Sequence, residues 1–335
     1  MPADLPGDCA RLLKRQRGVI ARWQAPAVGL SAAFIDGQLR RDRWQPLYRG
    51  IYAVFTGTPP RESVLWAGLL RAGSGAVLSH HTAAELDGLT DSPGRVIHVT
   101  VSHGQKLSIP ASEGNDVVPA IAVHQSARLD ITRHPARTPP RTRLEETVLD
   151  LAQTSASFDE VFSWLSRSCG RRLVTPQQLC RAMKARSRMR WRHEILAALD
   201  MVGDGVHSNL EYRYVRDVEG PHGLPKAKRQ VRMLRGGQSY YLDNLYEAFG
   251  VGVELDGRAY HRVEDRWQDI RRDNISAGSG IVTLRFSWAD VTRRPCAVAT
   301  AVGGALRQRG WPGPPSRCGP GCTTRRISGG VFQSY

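Results

Sequence analysis

The sequence has no long apolar run. None of its hydrophobic stretches approaches the roughly 20 residues that a helix needs to cross a bilayer, and the opening MPADLPGDCARLLKRQRG lacks the apolar stretch of a secretory signal. The expectation is a cytoplasmic protein with no membrane partner. Cysteine is sparse: six are scattered at positions 9, 169, 180, 296, 318 and 322 of 335 residues, too few and too dispersed for a disulfide framework. Acid is short relative to base, with 31 Asp plus Glu against 47 Lys plus Arg and a net charge of +16. Such an excess calls for a polyanionic partner, DNA first, and most of it is arginine, whose planar fork suits phosphate and guanine. Hydrophobic residues at 41 % and charged residues at 23 % are ordinary globular usage, which excludes wholesale disorder and fibrous classes.

Length predicts two or three domains, and the helix and strand patterns make the expected class α+β multidomain. Residues 171 to 193 carry eight Lys or Arg and no acid, and residues 291 to 335 carry seven and no acid, whereas residues 207 to 290 hold twelve acids against thirteen bases. Acid is thus concentrated in one block. The expected units are residues 1–57, residues 58–155, a basic helical connector at 156–204, a C-terminal domain at 205–312 and a Gly/Pro-rich tail at 313–335.

In the first unit, Cys9 to Gln16 and Val19 to Ala25 have helical apolar spacing, and Leu30, Phe34, Ile35 and Leu39 mark a third helix that Ser31 is placed to cap. The stretch WQPLYRGIYAVF (44–55) follows with a turn at Arg49-Gly50, the pattern of a hairpin. Three helices and a hairpin in this order predict a winged helix-turn-helix. Its third helix would enter the major groove, with Ser31, Arg40, Arg41, Arg43 and Arg49 as the DNA-binding residues. A small helical interaction domain with a solvated basic face is the alternative.

The middle unit opens on VLWAGLLRAGSGAVLSHHTAAELDGL (64–89), where Leu65, Leu69 and Leu70 form a stripe and Ser79 can cap a helix containing His80 and His81. Neighbouring helix positions point about 100° apart, so these histidines are expected to be structural rather than a chelating pair. RVIHVTVS (95–102) and AIAVHQS (120–126) alternate as strands, and RTRLEETVLDLAQ forms a helix with Leu144, Val148 and Leu151 inward and Glu145, Glu146 and Asp150 in solvent. The order of YRGIYAV, LSHHTAAELDGL and PPRTRLEETVLDLA resembles the AbiEi-type antitoxins of abortive-infection toxin-antitoxin systems, in their actinobacterial form, over residues 8 to 155. The resemblance implies a DNA-binding autorepressor that also counters a nucleotidyltransferase-type toxin.

The C-terminal domain reads as α-β-β-β-α-β. A helix at 207–220 buries Leu210, Tyr214 and Val218, strands follow at 229–235, 239–246 and 251–257, then a helix at 263–278 and a strand at 281–286. If Tyr246 pairs with Val251, opposing positions sum to 497, Asp243 faces Glu254, and Asp256 shares their side of the sheet. Like charges opposed across a strand pair are destabilising, so converging acids need protons, bases or a hard cation. Asp243 and Glu254 are the candidate metal ligands. The plainer readings are a Ser208-x-x-Glu211 capping box, partnering of Asp243 and Glu254 by arginines such as Arg232 or Arg285, a turn at Asp256-Gly257 and a surface role for His261.

Glu211, Asp243, the run Val253-Glu254-Leu255-Asp256-Gly257, His261, Asp269, Arg272, Asp273 and Leu284-Arg285-Phe286 resemble the endonuclease-like family related to very-short-patch-repair enzymes. That resemblance implies the PD-(D/E)xK restriction-endonuclease-like fold, with Glu211, Asp243, Glu254, Asp256 and His261 at the catalytic site and Mg²⁺ or Mn²⁺ as cofactor if the domain is active. The lysine usual two positions after the Glu is here Asp256, leaving His261 as the best base. Cys296, Cys318 and Cys322 offer three thiolates, and no histidine follows His261, so the tail reads as a segment without metal. The sequence points to an antitoxin-like DNA-binding regulator carrying a nuclease-like domain. Its rivals are a Mg²⁺-dependent endonuclease targeted by its N-terminal domain, and an interaction protein whose nuclease fold has lost its chemistry.

Overall fold

The computed structural model describes residues 5–105, 109–110, 114, 117–235, 238–256 and 280–324. The chain is a mixed α+β protein that divides into two compact units, residues 1–164 with 171–191 and residues 165–170 with 192–335.

Unit 1 begins with α1 (Gly7–Arg15), β1 (Val19–Ala21), two 3₁₀ turns at Arg22–Gln24 and Pro26–Val28, α2 (Ala32–Arg40), β2 (Gln45–Tyr48) and β3 (Ile51–Ala53). The expected hairpin at Arg49-Gly50 is present, and β1 joins it antiparallel to give the order β1-β3-β2. The helix expected over Val19 to Ala25 is instead this strand and the turns. Gly18, in the left-handed region at φ +78, ends the preceding helical stretch, and the β-branched Val19-Ile20 pair then favours extended backbone.

Strand side chains alternate, and both faces of this small sheet are covered. Ile20 and Tyr52 pack with Cys9, Leu13, Ile35 and Trp44 beneath α1 and α2. Val19, Ala21, Ile51 and Ala53 pack with Leu65, Leu69 and Leu70 of α3 (Arg61–Ala72). Because α3 lies against a second sheet as well, it is buried around most of its circumference and not along one stripe. In that sheet β4 (Val77–Leu78) runs antiparallel to β5 (Val96–Ser102), which is parallel to β6 (Ala120–Ser126). Gly68 lets α3 approach closely, since a Cβ there would lie 2.9 Å from Ile97.

The rest of unit 1 includes α4 (His80–Leu86), a single turn α5 (Leu129–Thr132), α6 (Leu144–Thr154) and α8 (Pro176–Lys184), while α7 (Phe158–Gly170) runs through the unit boundary. Val148 and Leu151 are core residues as expected, but the acidic side of α6 is not solvated. Glu146 is 5 % exposed and is held by Arg128 and by Arg186, and Arg186 also reaches Asp150 at 2.7 Å. Burial pushes the Asp150 carboxyl above its ordinary range against the pull of Arg186. Part of the basic stretch 171–193 is occupied in this way: besides Arg186, Arg171 forks onto Asp91 at 2.8 and 3.0 Å, and Arg190 donates to the Ser155 carbonyl.

In unit 2, α9 (Arg192–Gly203) precedes α10 (Asn209–Arg213), which continues into a π-helical turn at Tyr214–Glu219. Strands β7 (Lys228–Arg235), β8 (Gln238–Tyr246) and β9 (Val251–Asp256) form an antiparallel meander, and β10 (Val282–Ser287) lies parallel to β9, giving the order β10-β9-β8-β7. Leu210, Tyr214 and Val218 point inward as expected and meet Val251, Val253 and the apolar side of α12 (Pro295–Gln308), which follows the short α11 (Trp288–Arg293). The helix expected at 263–278 lies outside the described residues.

Removing one partner of a buried ion pair leaves an uncompensated charge and typically costs about 3 to 5 kcal/mol. Arg186→Leu should therefore destabilise the protein by about 3 kcal/mol in urea unfolding, while Glu146→Gln in the same background should recover part of the loss. An Arg186→Leu variant as stable as the parent would contradict this account of α6.

Candidate functional site

Ser31 is the N-cap of α2, its hydroxyl oxygen accepting from the Phe34 N–H at 3.1 Å. Its side chain is therefore engaged in the helix it starts. Arg40 closes that helix, Arg41 is its C-cap residue, and Arg43 follows. All three are exposed and make no ion pair among the described residues. Arg49, also exposed, occupies the turn of the β2–β3 hairpin. Beside this surface Arg22 donates to Tyr52 at 2.9 Å and pairs with Asp36 of α2 at 2.5 Å, linking helix to hairpin.

The acidic residues of unit 2 are distributed differently from a head-on pair. The β8–β9 register sums to 497 at Tyr246↔Val251, Leu245↔Gly252 and Asn244↔Val253, and the ladder stops there. Asp243 stands at the break. One carboxylate oxygen accepts the Leu255 N–H at 2.8 Å and the other accepts from the Gln230 amide at 3.1 Å. Gln230 itself takes a left-handed backbone, φ +47, unusual for a residue with a Cβ. Glu254 is bridged at 2.9 Å by Arg285, its register partner on β10.

Glu211 makes only part of the expected capping box: Ser208 caps the helix, but the Glu211 carboxylate reaches back to the N–H of His207 and not to that of the cap residue. Its oxygens accept from the His207 N–H at 3.0 Å and the Ser208 hydroxyl at 2.9 Å, while its own N–H donates back to Ser208 at 3.1 Å. It is nonetheless buried at 6 % exposure and close enough to Asp243 to feel it. Burial, and then Asp243, raise the Glu211 pKa. Burial, and then Asp256, raise that of Asp243. The acids brought into electrostatic contact are thus Glu211, Asp243 and Asp256, with Gln230 bridging the first two. Carboxylates held this way favour taking up a proton or a cation. His261, the expected base, lies outside the described residues.

Three histidines that the sequence reading treated as strand or helix residues also meet. His80 begins α4 with φ +47, its Nδ1 2.9 Å from the Ser79 hydroxyl, so Ser79 is the N-cap residue but its side chain does not bond the helix. The His80 ring stacks on His124 at 3.7 Å, and His98 Nδ1 lies 3.0 Å from His124 Nε2. His80 and His124 line a cavity of about 370 Å³ whose wall includes Arg128, Asp150 and Arg186. Period-two alternation puts His98 and His124 on a common face of β5 and β6, but only the parallel pairing of those strands, separated by about twenty residues of sequence, makes them neighbours.

Burial first, and then His124, His98, His81 and Arg186, push the His80 pKa down to about 2; burial and the neighbouring histidines push His98 down to about 4. Burial lowers His81 against the opposing field of Glu160, and burial lowers His124. The fold thus disfavours protonation of these rings, whereas the unfolded chain protonates near the ordinary 6.5. Stability from this cluster is therefore present above pH 6.5 and is lost as pH falls toward 4. The raised carboxyls of Asp150, Glu211 and Asp243 act in the opposite direction, so the diagnostic quantity is a difference. Thermal melting between pH 7 and 5 should fall less steeply for His98→Gln than for the parent. Parallel slopes would show that the histidines are not held neutral.

No protein-family model matches the chain, and no curated protein matches it.

Proposed function

We propose that the protein is a DNA-binding regulator whose first 57 residues act as a winged helix-turn-helix and whose second unit is built on an endonuclease-like framework. The observation that carries the reading is the set Arg40, Arg41 and Arg43, exposed and without an ion pair among the described residues, at the end of the Ser31-capped helix and beside a hairpin turn bearing Arg49. The order α1, β1, two 3₁₀ turns, α2, β2, β3 supports it, because two helices, joined by a strand and 3₁₀ turns in place of the expected second helix, precede a two-stranded wing. In this reading α2 lies in the major groove and the arginines meet phosphates, fixing its register on the duplex. Following the antitoxin resemblance, the partners are the protein's own promoter and a nucleotidyltransferase-type toxin.

Phosphate contacts release counterions, so affinity falls with salt with a slope close to the number of phosphates neutralised. For the full chain on a promoter duplex, Arg40→Ala and Arg43→Ala should each reduce the slope of log K against log salt by about one, with little change in sequence preference. Unchanged slopes in both variants would place the DNA elsewhere on the protein.

The approach of Glu211, Asp243 and Asp256 favours a second reading, a Mg²⁺-dependent endonuclease, and the order β10-β9-β8-β7 with a parallel final strand is compatible with that framework. Mg²⁺ uses one or two carboxylates with substrate phosphate oxygens, and Asp243 and Asp256 are the residues suited to it here. Under this reading the protein nicks DNA with Mg²⁺ and Asp243→Asn abolishes nicking. Promoter binding without cleavage of any DNA or RNA leaves the regulator with a silent nuclease framework.

A further inference from the structure

The three cysteines of the C-terminal region do have a fourth companion, and it precedes them in the chain. His222, in the turn after the π-helical segment, is fully buried. Its Nε2 and the sulfurs of Cys296, Cys318 and Cys322 all lie within 4.8 Å of one another. We propose that these four residues bind one structural Zn²⁺, which fastens the segment after α12 onto unit 2.

The distances suit the ion. Tetrahedral zinc with sulfur at about 2.3 Å and nitrogen at about 2.0 Å sets ligand-to-ligand edges of about 3.5 to 3.8 Å. Cys296 Sγ lies 3.6 Å from Cys318 Sγ, and Cys322 Sγ lies 3.7 Å from His222 Nε2. A disulfide is not present, since all six cysteines are free and the sulfur separation far exceeds the roughly 2.05 Å of an S–S bond. Three thiolates and an imidazole are the donor set of closed structural zinc sites, and their softness disfavours Mg²⁺ or Ca²⁺.

The surroundings are also those of a ligand set. His222 Nδ1 sits 2.8 Å from the Val218 carbonyl. A carbonyl can only accept, so Nδ1 carries the proton and Nε2 presents its lone pair to the sulfurs, the orientation that a carbonyl imposes on metal-bound histidines. The Thr324 hydroxyl lies 2.9 Å from Cys322 Sγ, placed to donate to a thiolate. Three thiolates around Zn²⁺ leave one net negative charge, and the Arg317 guanidinium, which donates to the carbonyls of Pro320 and Cys322 at 3.3 Å, is positioned to offset it. The tail is docked independently of any ion. The Ser316 N–H donates to the His222 carbonyl at 2.7 Å, and Gly303 of α12 leaves room for Pro315, whose ring a Cβ there would strike. Cys318 and Cys322, either side of Gly319-Pro320-Gly321, are thereby delivered to Cys296 in the first turn of α12.

The test is the metal content of full-length protein purified from zinc-supplemented cells without chelator. One zinc per chain is expected in the parent, and it should be lost in both His222→Asn and Cys318→Ser. Cys180→Ser and His98→Gln should retain it, the latter excluding the three-histidine cluster as the source. If His222→Asn folds poorly, the parent reconstituted with Co²⁺ should show the visible absorption of a tetrahedral thiolate complex, and Zn²⁺ should bleach it. A parent without zinc that gives no such Co²⁺ spectrum would overturn the proposal, as would a Cys296–Cys318 disulfide in the purified protein or zinc retained by folded His222→Asn and Cys318→Ser.

Discussion

The organisation of unit 1 depends on a small sheet that is buried on both faces. Strands of three or four residues cannot bury enough apolar surface alone, and here Ile20 and Tyr52 face α1 and α2 while Val19, Ala21, Ile51 and Ala53 face α3. The arginine-bearing surface at residues 40–49 is therefore carried on a framework whose core continues past residue 57 into the middle of the chain. A surface that positions its cations on a duplex benefits from such backing, because little ordering is left to be done on binding.

Charge is the constraint that separates surface from interior. The net excess of base first suggests that residues 171–193 are a nucleic-acid contact, yet Arg171, Arg186 and Arg190 are used inside unit 1 against Asp91, Glu146, Asp150 and Ser155. Arginines that remain exposed and unpaired are more informative than the total. In unit 2 the same logic applies to acids: Glu219 is paired with buried Arg229 and Glu254 with Arg285, whereas burial and a neighbouring carboxylate raise the pKa values of Glu211 and Asp243.

Local signals were legible in the sequence to the extent that they were local. The Ser31 cap, the Arg49-Gly50 hairpin, the strands at 95–102 and 120–126 and the 497 register all follow from spacing and turn chemistry, and the structure contains them. Contacts between distant segments were not legible. Glu146 reads as solvated because its partners Arg128 and Arg186 lie 18 and 40 residues away. His222 is not legible as a companion of the three cysteines because it precedes Cys296 by the whole sheet-forming segment, and only the fold brings it back to them. The helix expected over Val19–Ala25 failed for a different reason: its apolar spacing fits a helix, but β-branched residues after a left-handed glycine found a strand partner in β3.

The central claim is that DNA lies against α2 and the hairpin. Amide hydrogen exchange of the full-length protein with and without a promoter duplex tests it directly. The account predicts that DNA slows exchange in residues 31–51, while the histidine cluster at 80, 98 and 124 is unaffected. Protection confined to the 171–193 stretch or to unit 2, with residues 31–51 unchanged, would contradict it.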